Sequence, residues 1–412
     1  MNNIIEKHSL NRETRLICHF IHPGDLPDRD EEIERLLKEG VDWDLFYKIA
    51  DYQEVSEIVY ANITDLHGKF IPKQELSSLK EKCYTSILHN QLLLKELNPV
   101  VKELDSNNIR FVLFKGIVFN SLIYPLKFIR RMDDIDIMIQ KEQFPETKSA
   151  LTKLGYRMLR DLDESNADTS FGEFAKYDSS KNITFMLDIQ WGHESLPRDS
   201  NKNALSDLWQ RVRTTQLEGF NINHLSPEDM LFNLFFHQRR LGKPFTLKNI
   251  LDITHIINKY KEDIDWDFIV KQARLNRITS LAYFCLIIAS ELFNCYCPTT
   301  VLKQLEPSLI RRRLFNHFFL SGLQRIDSRA REELVSHFIF MSPILYDRIV
   351  DLLIYINSIS FYQFIKICGF KHCGFGVKIL FRLKSLFLPI LALLKLICRR
   401  SHEIKPLKCK DA

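Results

Sequence analysis

The sequence predicts an α+β protein in which a compact α/β unit sits between helical regions. Three observations carry that expectation. Glycine is scarce, 13 among 412 residues, which disfavours a β-sandwich or a glycine-rich dinucleotide fold and favours helix. Apolar residues recur at close to helical spacing before about residue 95 and again after about residue 222. Between those stretches the period changes, and short apolar runs rich in aromatic and β-branched residues alternate with helical segments.

Val41-Asp-Trp-Asp-Leu-Phe46 opens an amphipathic segment running through Ile49, Val55, Ile58 and Val59 until Pro72 breaks it. A long helix is expected from about Gln74 to Leu104, with Leu88, Leu92, Leu97, Val101 and Leu104 as its apolar positions. Ile109 to Phe114 reads as a buried strand ending at Lys115-Gly116. Ile117 to Tyr124 suits a short helix stopped by Pro125, and Asp133 to Ile139 a second strand. Gln143 to Gly155 is a helix with the glycine as its cap. Phe174 to Tyr177 and Ile183 to Trp191 are further strands. Together these elements make a unit of roughly 120 residues with the order β-α-β-α-β-β. Ser226-Pro-Glu-Asp229 then signals a helix start, with serine as N-cap and proline at the first position. Helices are expected to about Gly369. One segment repeats: Val41-Asp-Trp-Asp-Leu-Phe46 resembles Ile264-Asp-Trp-Asp-Phe-Ile269, so two similar helical units are expected, one on each side of the α/β unit.

Hydrophobic residues make up 45% and charged residues 26%, the balance of a folded protein. The nine cysteines are odd in number and Met1 to Arg15 lacks an apolar signal core, so reduced thiols in the cytoplasm are expected. Neither Cys295-x-Cys297 nor Cys368-x4-Cys373 has zinc-site spacing. The net charge is +5, but residues 377–412 hold nine Lys/Arg and two acids, which leaves the body slightly negative. A body of that sign disfavours long nucleic acid as a partner. In the tail, Leu386 to Leu394 is apolar and flanked by Lys384, Lys395, Arg399 and Arg400. It is too short to span a bilayer of ~20 apolar residues. It suits either a basic amphipathic helix on an anionic membrane surface, with contact through 377–400, or a core helix.

Asp134 and Asp136 stand two apart on an expected strand, so both carboxylates project from one face while Ile135, Ile137 and Ile139 point into a core. Carboxylates this close repel unless a cation lies between them. Mg2+ or Mn2+ suits such oxygen ligands and shares them with substrate phosphates. Asp188 lies within the otherwise apolar run Ile183 to Trp191 and needs a partner. If the two strands are neighbours, three carboxylates converge, as phosphoryl or nucleotidyl transfer requires. The plainer alternative is a solvated strand end with Asp188 paired to an arginine. Lys115, between a strand and a helix, suits a phosphate or a surface turn. Arg130 suits a triphosphate or a pairing with the acids. Asp252, among Ile250, Leu251, Ile253 and Ile256, is expected to be paired and structural.

Phe114-Lys-Gly116, Tyr124-Pro125, Arg130-Arg-Met-Asp-Asp-Ile-Asp136 and Leu187-Asp-Ile-Gln-Trp191 resemble the signature of the uncharacterised bacterial nucleotidyltransferase family, within the DNA polymerase β-like superfamily. Leu225-Ser-Pro-Glu-Asp229, His237 and Leu247 to Asp252 resemble its C-terminal helical segment. The resemblance implies a mixed-sheet nucleotidyltransferase core flanked by N- and C-terminal helical domains. It implies Asp134, Asp136 and Asp188 as metal and catalytic ligands, and Lys115, Gly116 and Arg130 as nucleotide-binding residues. Its implied partners are a nucleoside triphosphate and an unknown hydroxyl acceptor (a sugar, small molecule or protein), with a place in surface-polysaccharide assembly. Two departures stand out. No serine follows Gly116, where the wider superfamily carries Gly-Ser, and Gln190 stands where the family often has histidine. A catalytically weak nucleotide sensor or scaffold, attached to a membrane complex, is therefore the alternative. The expected domains are 1–95 helical, 96–222 the nucleotidyltransferase core, 223–376 helical, and 377–412 the basic tail. The expected location is cytoplasmic, peripheral at the inner face of the membrane.

Overall fold

The computed structural model describes residues 10–159, 171–191, 208–239, 245–323 and 343–358. The basic tail and Cys368-x4-Cys373 lie outside them. Seven strands form one mixed sheet in the order β3-β4-β5-β2-β1-β7-β6. They are β1 (Phe111–Phe114), β2 (Ile135–Ile139), β3 (Arg157–Met158), β4 (Phe171–Asp178), β5 (Ile183–Gln190), β6 (Arg213–Leu217) and β7 (Phe220–His224). β2 runs parallel to β5 and antiparallel to β1, and β7 lies parallel to β1. The central strands read as near-continuous apolar runs because they are covered: every residue of β1 and of β2 is buried.

Three of these strands were not expected from the sequence. β3 is two residues long, and β6 and β7 form a hairpin, whose last residues, Ile222 to His224, fall where helix was anticipated beyond Asn221. The hairpin turns at Glu218-Gly219, both with positive φ (45° and 87°), the backbone that suits the twist of a two-residue turn. Leu217 and Ile222 are its buried apolar residues, and the polar residues between them blur the pattern.

The helix Lys73–Ser106 is the longest described element, and it runs across the expected boundary at 95/96. Its buried face holds Leu79, Cys83, Asn90, Leu93, Leu94, Leu97, Val100, Val101 and Leu104, whereas Leu88, expected inside, is 59% exposed. The helix Phe144–Lys153 packs against it, and Gly155 closes that helix with φ +86°.

The repeated sequence segment is a repeated piece of architecture. Asp42 caps the helix Trp43–Tyr52 by accepting from Leu45 N, and Asp265 caps Trp266–Leu275 by accepting from Phe268 N. Each cap residue donates its own N–H to a glutamate from the first turn of an earlier helix, Glu13 at 3.1 Å and Glu228 at 3.0 Å. Those earlier helices, Arg12–Ile21 and Pro227–Gln238, are themselves capped by Asn11 and Ser226. Both capped helices end through a left-handed residue, Glu54 in one and Arg277 in the other. A backbone bond follows at 2.9 Å in each, Val55 to Ala50 and Ile278 to Ala273. The two helical units are joined directly: Gln53 accepts from Leu247 N and donates to Leu323 O, and Lys248 pairs with Glu54.

Candidate active site

β2 and β5 lie side by side in parallel register, with Asp136 opposite Asp188. Alternation along each strand sends Ile135, Ile137, Leu187 and Ile189 to the opposite face, where all four are buried. Asp134 stands one residue before β2. Carboxylate oxygens of Asp134, Asp136 and Asp188 all lie within 4.8 Å of one another. The donors are three hard oxygens with no histidine or thiol, which fits a small divalent ion such as Mg2+ or Mn2+.

The β1–β2 register puts Phe114 opposite Asp136, so Lys115 emerges beside the acids. Lys115 holds φ 54° and ψ −127°, a strained backbone for a residue with a side chain. Its Nζ lies 3.1 Å from Asp136 Oδ1 and 4.9 Å from the centre of the Phe114 ring. The ammonium thus offsets part of the negative charge of the cluster. Gly116 has a packing reason: a Cβ there would stand 3.0 Å from Met132 Sδ and 3.1 Å from its Cγ. That contact brings Met132, two residues before Asp134, close under the turn.

The structure gives Arg130 a different partner from a phosphate. Its guanidinium is buried, with Nε donating to Asp252 Oδ1 and Nη2 to Asp252 Oδ2, both at 2.7 Å. Burial pulls the guanidinium pKa down, and the Asp252 carboxylate more than restores it. Tyr124 Oη donates to the same carboxylate at 2.8 Å. Burial raises the Tyr124 pKa well above its usual value, and Asp252 adds to that. His255 packs against Tyr124 with ring centres 4.3 Å apart and planes tilted by 47°. Burial pushes its pKa down to about 4, against the opposing pull of Asp252. Asp252 is therefore paired, as expected, on the helix Leu247–Tyr260.

Two neighbours of Asp188 complete the site: Gln190, noted in the sequence as a departure from the family pattern, and Glu173, which sequence reasoning missed. Gln190 Nε2 donates to Asp188 Oδ2 at 2.6 Å, which orients the carboxylate. The β4–β5 register sets Glu173 directly opposite Asp188, hence on the same face. Glu173 was missed because the strand was expected to begin at Phe174. Around the rim, Arg131 reaches Asp133 at 3.4 Å and Asp51 at 3.6 Å, and Lys82 also pairs with Asp51. Burial first, and then Arg131, pushes the Lys82 pKa down to about 8.

A mixed sheet carrying converging carboxylates on adjacent strand ends, braced by helices, is the architecture of a nucleotidyltransferase. Residues 39–294 match the family described as "Uncharacterised nucleotidyltransferase", and the chain belongs to that family. Comparison with curated proteins gives no match. Among solved structures, "Solution Structure of Antibiotic-Resistance Factor ANT(2'')-Ia Reveals Substrate-Regulated Conformation Dynamics" aligns with 49% of this chain and 98% of its own. Its identity is 13% and its TM-score 0.32, a likeness too small to carry any argument about substrate.

Proposed function

We propose that the chain transfers a nucleoside monophosphate from a nucleoside triphosphate to a hydroxyl acceptor. The observation that supports this best is the meeting of Asp134, Asp136 and Asp188 within 4.8 Å. Asp134, Asp136 and Asp188 would hold Mg2+ or Mn2+, which supplies charge neutralisation at the triphosphate and lowers the pKa of the acceptor hydroxyl. The acceptor oxygen attacks the α-phosphorus, the bond from that phosphorus to the bridging oxygen breaks, and pyrophosphate leaves. Asp188 takes the acceptor proton, and Gln190 holds the carboxylate in place for it. Lys115 neutralises Asp136 in the structure described here and turns to a phosphate oxygen when substrate arrives. Gly116 keeps the turn tight enough for that reach. The acceptor is a sugar, small molecule or protein hydroxyl, in keeping with a body that carries no positive excess.

No helix among the described residues is long and apolar enough to cross a membrane. Surface contact through 377–400 remains the proposed role of the tail. The deciding experiment incubates the full chain with each α-labelled nucleoside triphosphate, Mg2+ or Mn2+, and cell extract. Transfer of label that is lost in Asp134→Ala/Asp136→Ala is the expected result. Nucleotide binding without transfer would replace the enzyme by the sensor or scaffold. No metal-dependent binding at all would end the metal-site argument.

A further inference from the structure

Asp136 and Asp188 are located by strand ladders, but Asp134 is not. It lies one residue before β2, so the segment leading into it takes part in setting its position. That segment is unusually well held. Asn90 Nδ2, from the helix Lys73–Ser106, donates to Phe128 O at 2.7 Å and to Arg130 O at 2.8 Å. Asn120 accepts from Arg130 N at 2.9 Å and donates to Arg130 O. Phe128 itself has φ 66°, a backbone that persists only when its surroundings fix it. The Arg130 side chain then reaches back to Arg131 O at 3.3 Å and forward to both oxygens of Asp252. Asp252 is fully buried, 122 residues further along the chain, and also accepts from Tyr124.

We propose that Arg130, Asp252 and Tyr124 are positioning residues. They fasten the segment carrying Asp134 to the C-terminal helical unit and so set where that carboxylate stands against Asp136 and Asp188. The inference rests on the metal site proposed above. A buried ion pair is often no more stabilising than apolar residues of the same volume. What the pair adds is direction. The forked guanidinium accepts only one orientation of the Asp252 carboxylate, and two residues later the chain must enter the Met132 contact under Gly116.

The test is Mn2+ binding to the full chain, followed by electron paramagnetic resonance well below the melting temperature. Wild type is compared with Asp252→Asn, Tyr124→Phe, Asp134→Ala and Asp134→Ala/Asp252→Asn. Asp252→Asn keeps the shape and removes the charge. It should melt cooperatively, yet bind Mn2+ at least tenfold more weakly. The double variant should bind no more weakly than Asp134→Ala alone, because both changes act through one ligand. Unchanged Mn2+ affinity in folded Asp252→Asn, or losses that simply add, would overturn the proposal. Should Asp252→Asn fail to fold, Tyr124→Phe, which spares the ion pair, is read by the same two criteria with a smaller expected loss of two- to threefold. Absence of Mn2+ binding by the wild type would instead sink the metal site itself, and this inference with it.

Discussion

Replacing Asp188 by asparagine changes one charge and almost no volume, and the geometry around it gives opposite expectations for stability and for activity. Its carboxylate oxygen lies within 4.8 Å of those of Asp134 and Asp136. At that separation and an effective dielectric constant of about 20, each like-charge pair costs roughly 3 kcal/mol. Solvent at the partly exposed site and the lost attraction to Lys115 reduce the relief, to about 1–2 kcal/mol in favour of the variant. Gln190 can still donate to the asparagine oxygen, so the strand need not move. Without divalent ion, Asp188→Asn should therefore melt a few degrees above wild type. With Mg2+ at about a hundred times its dissociation constant, wild type gains about 2.7 kcal/mol while the variant gains little. The order of melting temperatures then reverses. Transferase activity should fall by about a thousandfold or more, since the ligand set loses its third charge. Thermal melting with and without Mg2+ reads the whole expectation in one experiment. A variant less stable than wild type without the ion, or an equal Mg2+ shift in both proteins, would refute the argument from carboxylate repulsion.

Other consequences can be checked alongside. Asp252→Ala strands a buried guanidinium and should lose about 3–5 kcal/mol by denaturant melting, whereas the paired change Arg130→Met/Asp252→Leu should lose much less. Gly116→Ala pushes a methyl group against Met132 and should cost about 1–3 kcal/mol, with Met132→Ala relieving part of it. Acid should destabilise the fold between about pH 6.5 and pH 4. His19 and His255 are both pushed down to about 4 from 6.5, mainly by burial. The neutral form is thus the folded form. Its contribution is complete above about pH 6.5, and up to roughly 3 kcal/mol for each is lost as the pH falls through that window. His255→Gln should flatten the pH dependence of the denaturation midpoint, and an unchanged midpoint profile would contradict it.

Local pattern made much of the fold legible. Short apolar runs exposed β1, β2 and β5, and the capping residues Asp42, Ser226 and Asp265 stood where serine and aspartate are chemically suited to hold a free N–H. The repeated Asp-Trp-Asp segment foretold two like helical units because each cap is a short-range device. The polar hairpin of β6 and β7 escaped, since only Leu217 and Ile222 are buried apolar residues there and its signal was the Glu218-Gly219 turn.

The pair Asp134 and Asp136 was visible in the sequence by itself, as was the oddity of Asp188 in an apolar run. Their two-residue spacing and their neighbours fix which face they share, and that depends on nothing distant. That Asp188 comes to lie opposite Asp136 was decided by strand order and register, which link residues 52 positions apart and are set by how the whole sheet closes its core. The partner of Arg130 was decided the same way. An arginine four residues before an aspartate suits a phosphate or a carboxylate equally well in one dimension. Only the packing of the helix Leu247–Tyr260 against the helical segment Phe119–Ile123 brings Asp252 to it, because a buried charge takes whichever opposite charge the fold delivers.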